Sequence, residues 1–264
     1  FLEPGSAYAQ QGGVSAPETG IAPLWRLDLT AGLGYDSNIR FTPSPESAVS
    51  GRLRAGLTRQ IRTPRFNLTL GAAGDGTVYR PFRDLNQLNY SGDLSASYLI
   101  SPRSTLRVTD SFSKSYTTES VVLIEAGLFL PRTVARSNDA MIVASHQISP
   151  HWTWNLSARH RVVHFDSDLL VDGSSLLGRA ELSWTPALRS PIGLYYEFGR
   201  ATRGRGLSAD AHSATLFWER RFGETLSVGV DRGVSKLLSQ GVDAGRVVPT
   251  GAATFAVRSA KQTF

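Results

Sequence analysis

Residues 24–35 (LWRLDLTAGLGY) sort their side chains into two alternating sets: Leu27, Leu29, Ala31, Leu33 and Tyr35 against Arg26, Asp28, Thr30, Gly32 and Gly34. A period of two over this length specifies a half-buried strand and excludes a helix. The alternation returns over 49–61, 66–79, 88–100, 105–116, 140–148, 152–165, 176–184, 192–200, 212–222, 225–234 and 247–258. It is strong in 66–79, where Phe66, Leu68, Leu70, Ala72 and Val78 face Asn67, Thr69, Asp75, Thr77 and Tyr79, and equally in 88–100. Twelve such segments predict an all-β chain, an antiparallel up-and-down transmembrane β-barrel.

The connections support this order. Ile61-Arg62-Thr63-Pro64, Ile100-Ser101-Pro102, Ile148-Ser149-Pro150, Trp184-Thr185-Pro186 and the tight Phe222-Gly223-Glu224 put turns near 64, 102, 150, 186 and 223, in steps of 38, 48, 36 and 37. Each step is one up-and-down pair. The intervening segments 36–47, 117–139, 166–175 and 202–211 read as longer, more polar loops. Barrels of the outer membrane sort their loops in this way, short inside and long outside. Extending the rhythm predicts a turn near Ala260, with Thr263 and Phe264 opening another strand. The chain is then either a twelve-stranded barrel with an irregular last strand or part of one with ~14 to 16 strands.

Trp25, Trp152, Trp154, Trp184 and Trp218 fall at strand ends beside short turns, which predicts an aromatic girdle at one membrane interface. Tyr35, Tyr90, Tyr116 and Phe198 are expected at the opposite ends, as the second belt.

Composition narrows the class further. None of the 264 residues lie in an apolar run approaching the ~20 needed for a membrane helix. There is no cysteine, hence no disulfide framework and no thiolate metal site, and neither a metal nor another cofactor is expected. The net charge of +6 is spread along the strands instead of gathering in one patch, so nucleic acid is not an expected partner. The chain starts at Phe1 and carries Ala7-Tyr8-Ala9 before Gln10, a small-residue cleavage pattern. Residues 1–23 are therefore expected to comprise the tail of a signal peptide and an unstructured segment, with the barrel over 24–264.

Placing the polar set on the inside lines a lumen with Arg52, Arg54, Arg107, Arg159, Arg161 and Arg179, and with Asp75, Asp93, Glu181 and Glu197, joined by Asp28 and Asp231. Opposed acids and bases in a narrow pore create a transverse field and a preference for charged or sugar solutes. Six arginines suggest anionic oligosaccharides; structural ion pairs filling a small pore are the other reading. Catalysis is not expected. His160 and His164 fall on the lipid-facing set with no serine two residues on, His212 and Ser213 face opposite sides, and there is no GxSxG, HExxH or glycine-rich phosphate loop. Lipid-facing histidines at 160 and 164 instead suggest a subunit contact or a polar depth near the interface.

Gly34-Tyr35-Asp36-Ser37-Asn38-Ile39, at the first outer loop, resembles the start of Gram-negative β-barrel porins often found with exopolysaccharide or capsule export machinery. The resemblance implies an outer-membrane channel, with lipid, acidic polysaccharide and envelope export components as partners. Asp36, Ser37 and Asn38 also suit a loop-top turn without any ligand. A passive or secretory channel is thus expected, and a non-conducting barrel that presents loops to partners is the competing class. The apolar run 121–130 (VVLIEAGLFL) lies in the longest loop, where it either folds inward as a constriction or extends a hairpin above the membrane. Deleting 121–130 is expected to raise single-channel conductance if the run constricts the pore, and unchanged conductance removes that reading.

Overall fold

The computed structural model describes residues 25–37, 46–116, 133–168, 170–186, 190–204, 206–222, 226–239 and 247–257. The segment 1–23, Asn38 and Ile39, the run 121–130, the Gly223-Glu224 turn and residues 260–264 lie outside them. The described chain forms β1 (Trp25–Asp36), β2 (Ala48–Arg62), β3 (Phe66–Arg80), β4 (Gln87–Ser101), β5 (Ser104–Tyr116), β6 (Val134–Gln147), β7 (Trp152–Phe165), β8 (Gly173–Trp184), β9 (Ile192–Arg203), β10 (Leu207–Phe222), β11 (Leu226–Ser239) and β12 (Val247–Val257). One 3-10 turn, Arg83–Leu85, sits between β3 and β4. The strands form a single antiparallel sheet in chain order, each beside its sequence neighbours, with β1 and β12 as open edges.

The short turns are built from their own sequences. Thr63 N–H donates to the Phe66 carbonyl at 2.7 Å, Ser101 and Ser104 hydroxyls meet at 2.8 Å, and Trp152 N–H donates to Ser149 Oγ at 3.2 Å. A hydroxyl that bonds the backbone beside a proline with its preset φ closes the chain within a few residues.

Strand register carries the two-face pattern through the sheet. Leu27 lies opposite Leu57, Leu57 opposite Ala72, and Ala72 opposite Gly92, while Arg54 lies opposite Asp75 and Asp75 opposite Asn89. One face is apolar and the other polar. The sheet encloses no hydrophobic interior: among the described residues Ala48 is the only buried apolar side chain, and no large side chain is fully buried. Leu27, Leu29, Leu33, Leu53, Leu194 and Phe255 stand bare on the apolar face, Leu33 at 90% exposure. A soluble sandwich would press such faces together. Here they meet no protein.

The same register fixes the tilt. A cross-strand row leaves Trp25, the first residue of β1, and passes through Arg59, Leu70, Leu94, Asp110, Ala140, His160, Leu176, Arg200 and Asp210 to Leu238, the penultimate residue of β11. If the short turns lie level, a climb of some twelve residues over ten strand steps corresponds to a tilt of about 40°, using ~3.3 Å per residue and ~4.8 Å per strand. That falls within the ~35–45° of outer-membrane barrels. The fold is the up-and-down antiparallel wall of a bacterial outer-membrane β-barrel, its apolar face turned to lipid.

Five strand boundaries differ from the sequence expectation by three residues or more, and all five at the same end. β6 begins at Val134 instead of 140, β8 at Gly173, and β10 at Leu207, while β9 runs on to Arg203 and β11 to Ser239. In these extensions, or just below them, the apolar parity carries Arg136, Asn138, Ser174, Thr202, Ser208, Asp210 and Lys236. The strands continue past the apolar band, so their outward residues need not be apolar. The band is about nine residues tall along a strand, ~23 Å at this tilt, close to the ~25 Å expected. The expected loop 202–211 is consequently a tight connection, 204–206, in which Gly204 (φ 58°) and Gly206 (φ 95°) occupy left-handed backbone that other residues rarely adopt.

All five tryptophans lie on the apolar face in the lower part of their strands, with Trp152 and Trp184 stacked at 6.2 Å and the Arg59 guanidinium 4.7 Å from Trp25. Tyr35, Tyr90 and Tyr116 lie on that face near the opposite end. Phe198 does not join them: it is the seventh of twelve residues in β9, because that strand is longer than its alternation suggested.

The two faces should respond differently to one substitution at adjacent positions. Ala72→Arg, halfway up the apolar face, is expected to cost about 2–4 kcal/mol of unfolding free energy in lipid vesicles, and Ala73→Arg on the polar face less than about 1 kcal/mol. Equal losses in a denaturant titration would contradict the assignment of faces.

Candidate functional site

The polar face is a lattice of serine, threonine and asparagine with ion pairs set into it. Register places Arg52, Arg54, Arg107, Arg159, Arg161, Arg179, Asp75, Asp93, Glu181 and Glu197 all on this face, together with Asp28 and Asp231. They group at two levels.

Seven to ten residues above the short turns lie Arg52 and Arg54 on β2, Asp75 on β3, Asp93 on β4, Asp139 on β6, and Arg159 and Arg161 on β7. Arg159 and Arg161 are two apart on one strand, so both guanidinium groups project from one face and converge on the single carboxylate across the ladder. Arg159 Nε donates to Asp139 Oδ1 at 2.7 Å, and Arg161 Nε and Nη2 donate to Oδ2 at 3.0 and 2.8 Å. Asp75 takes a bond from Arg52 Nε and another from Asn89 Nδ2 at 3.3 Å. Asp93 lies against Gly71, where a Cβ would strike its carboxyl oxygens. The glycine is what lets that carboxylate lie over the neighbouring strand.

Lower down, Arg179 donates to Glu181 at 2.6 Å, lies 3.5 Å from a Glu197 oxygen, and stacks its guanidinium 3.8 Å from the Tyr195 ring centroid. Asn155 Nδ2 donates to Glu181 and Ser213 Oγ to Glu197. Arg107 is set differently. It borders a recess of about 390 Å³ whose other walls are Asn67, Thr69, Ser95, Ser97 and Thr109, so neutral hydroxyl and amide groups surround its guanidinium. Asp28, at the β1 edge, accepts from Arg26 at 3.0 Å.

Sequence reading omitted Asp139, the acceptor for two of its candidate arginines, because the expected sixth strand began at 140. The signal available was parity: Ser137, Asp139 and Met141 continue the polar set of β6 backwards. Asn89 and Tyr195, which hold Asp75 and Arg179, carry no charge and gave no signal of their own.

At the loop end, outside the strands, Asp172 accepts the Phe165 backbone N–H at 2.8 Å and faces His164 Nδ1 at 2.6 Å. The backbone bond first, and the histidine second, hold its carboxyl below the ordinary carboxylate range. A depressed acid contributes its stabilisation above the unfolded value, near 3.9, and loses it as pH falls through the lower folded value. The Phe165 amide resonance in detergent micelles should therefore titrate with a midpoint below about 3.9. A midpoint at or above that value would show that the bond does not favour the charged form.

No family model and no curated protein matches this chain. Several solved structures are similar in fold. A loop-L8 deletion form of OmpT, an outer membrane protein of Vibrio cholerae, aligns over 88% of this chain and 99% of its own at 7% identity and a TM-score of 0.46. The KdgM porin aligns over 80% and 99% at 12% identity and 0.34, and the Pseudomonas putida toluene transporter TodX over 88% and 78% at 9% identity and 0.35.

Proposed function

We propose that the polar face lines an outer-membrane channel for anionic, hydroxyl-rich solutes, acidic oligosaccharides foremost. The observation that carries this reading is the mid-height belt of charge. Four arginines and three aspartates at one level, bases on β2 and β7 and acids on β3, β4 and β6, form opposed patches of the kind that set ion selectivity. The belt carries one more base than acid. Below it, the Arg107 recess offers a planar five-donor cation among hydroxyl and amide groups, the chemistry that suits a carboxylate on a sugar.

Passage through such a belt exchanges hydration for fixed side-chain partners. Arg159 and Arg161 share Asp139, so one carboxylate holds two cations in place and the group keeps a net positive charge toward a passing anion. The hydroxyls of Ser95, Ser97, Thr69 and Thr109 both donate and accept, which matches the hydroxyls of a saccharide. Export of acidic polysaccharide with envelope partners extends this reading through the Gly34–Ile39 resemblance. A second reading draws on the same ion pairs: closed on one another, they stiffen a barrel that conducts nothing and works through its loops.

Purified protein in planar bilayers separates the two. A conducting channel should show a reversal potential favouring chloride over potassium in a salt gradient. Arg159→Gln with Arg161→Gln should lower that permeability ratio at least twofold, and Arg107→Gln should weaken current block by an acidic oligosaccharide. Absence of conductance supports the structural barrel. Conductance indifferent to all three arginines removes the selectivity assignment.

A further inference from the structure

We propose that Tyr195 and Phe217 form a stacking platform on the polar face for an uncharged pyranose residue of a passing oligosaccharide. This deepens the channel reading and rests on the polar face being open to solute. Among the described strands the aromatic rings of that face are Tyr79, Phe165, Tyr195 and Phe217. Tyr79 and Phe165 lie at the loop-side ends of β3 and β7. Tyr195 and Phe217 meet far below them, with ring centroids 6.0 Å apart and planes at 37°.

The posture of Phe217 is set by a glycine. Register places it beside Gly193, where an added Cβ would come within 2.6 Å of two carbons of the phenyl ring. The ring therefore lies across β9, one face on the backbone and the other toward the bore, and it covers Gly193 completely enough to bury it. A hydrocarbon ring left half-exposed in water contributes little to folding, so its place is better explained by what it meets there. Arg179 already fills the cation position over Tyr195, its guanidinium 3.8 Å from the centroid. The open face belongs to Phe217.

Carboxylates flank the pair on both sides. Glu181 lies across the ladder from Tyr195, Glu197 follows two residues along β9, and Asp231 lies directly across from Phe217 on β11. Glu181 and Glu197 each turn one oxygen to Arg179, and Asp231 accepts from no described residue, so acceptor sites remain on either flank. Three acids against one base disfavour an anion here. A ring with apolar faces and a rim of donors fits instead. In a gluco-configured pyranose the axial C–H bonds meet the negative face of the aromatic ring, and the equatorial hydroxyls donate outward to the carboxylates. The acidic groups of the same oligosaccharide are left to Arg107 and the charged belt, on other strands.

Cellotetraose, an uncharged β-linked glucose tetramer, is the probe, titrated into the protein in sugar-free detergent micelles and followed by saturation-transfer difference NMR. Irradiating the aromatic protons should transfer saturation to the sugar C–H protons, and sorbitol, rich in hydroxyls but ringless, should receive none. Phe217→Leu keeps apolar bulk and loses the aromatic face, so it should weaken tetramer binding about fivefold, while Phe217→Tyr should bind as the parent protein does. Heat-modifiable gel migration verifies that each variant is folded. No transfer to the tetramer, equal transfer to sorbitol, or an affinity unchanged in Phe217→Leu overturns the platform. The channel reading fails separately: a protein that binds the tetramer and conducts nothing in planar bilayers loses the channel and keeps the platform, and conductance without tetramer binding does the reverse.

Discussion

Hydrocarbon offers no hydrogen bonds, and most of this structure follows from that. Each backbone donor and acceptor within the bilayer needs a partner on the next strand, so the chain runs up and down in sequence order with every interior strand paired on both sides. Side chains on one face then meet solvent tails. Leucine, valine, alanine and glycine fill most of that face through the apolar band, with Asp110 and Arg232 as charged exceptions, aromatic rings mark its lower limit, and charged groups are common above it. A soluble protein of this length is stabilised by a buried core; this one has almost none among its described residues, and lipid takes the place of the core.

The polar face works under the opposite rule. Water or solute is available there, so charges are retained but held by neighbours. Arg159, Arg161 and Asp139 form a three-membered group in which one carboxylate orients two cations, and Arg179 is fixed between two glutamates and the Tyr195 ring. Such half-exposed pairs add little to stability individually. Their value lies in position: a guanidinium held against a wall by its counter-ion presents the rest of its donors in a constant direction.

The alternation was legible in the sequence wherever the strand lies inside the apolar band. β3 and β4 were read almost to their ends because Leu68, Leu70 and Ala72, then Leu94, Ala96 and Tyr98, never break parity. It failed where the strand leaves that band. Arg136, Asn138, Ser174, Thr202, Asp210 and Lys236 are polar on the apolar parity, and period-two reading took them for loops. Of the site, the arginines and their partners Asp75, Glu181 and Glu197 were legible, and three other holders were not. Asp139 was lost with the start of β6, and Asn89 and Tyr195 act through geometry that exists only once the strands are in register.

Every strand packs against its immediate sequence neighbours, so the wall is modular. A hairpin can be duplicated or removed with only two seams disturbed, and the circumference changes while each remaining ladder keeps its partners. Evolution can thus widen or narrow such a bore by copying a unit of some forty residues, with no interior to repack. A globular domain, whose core knits distant segments together, does not have that freedom.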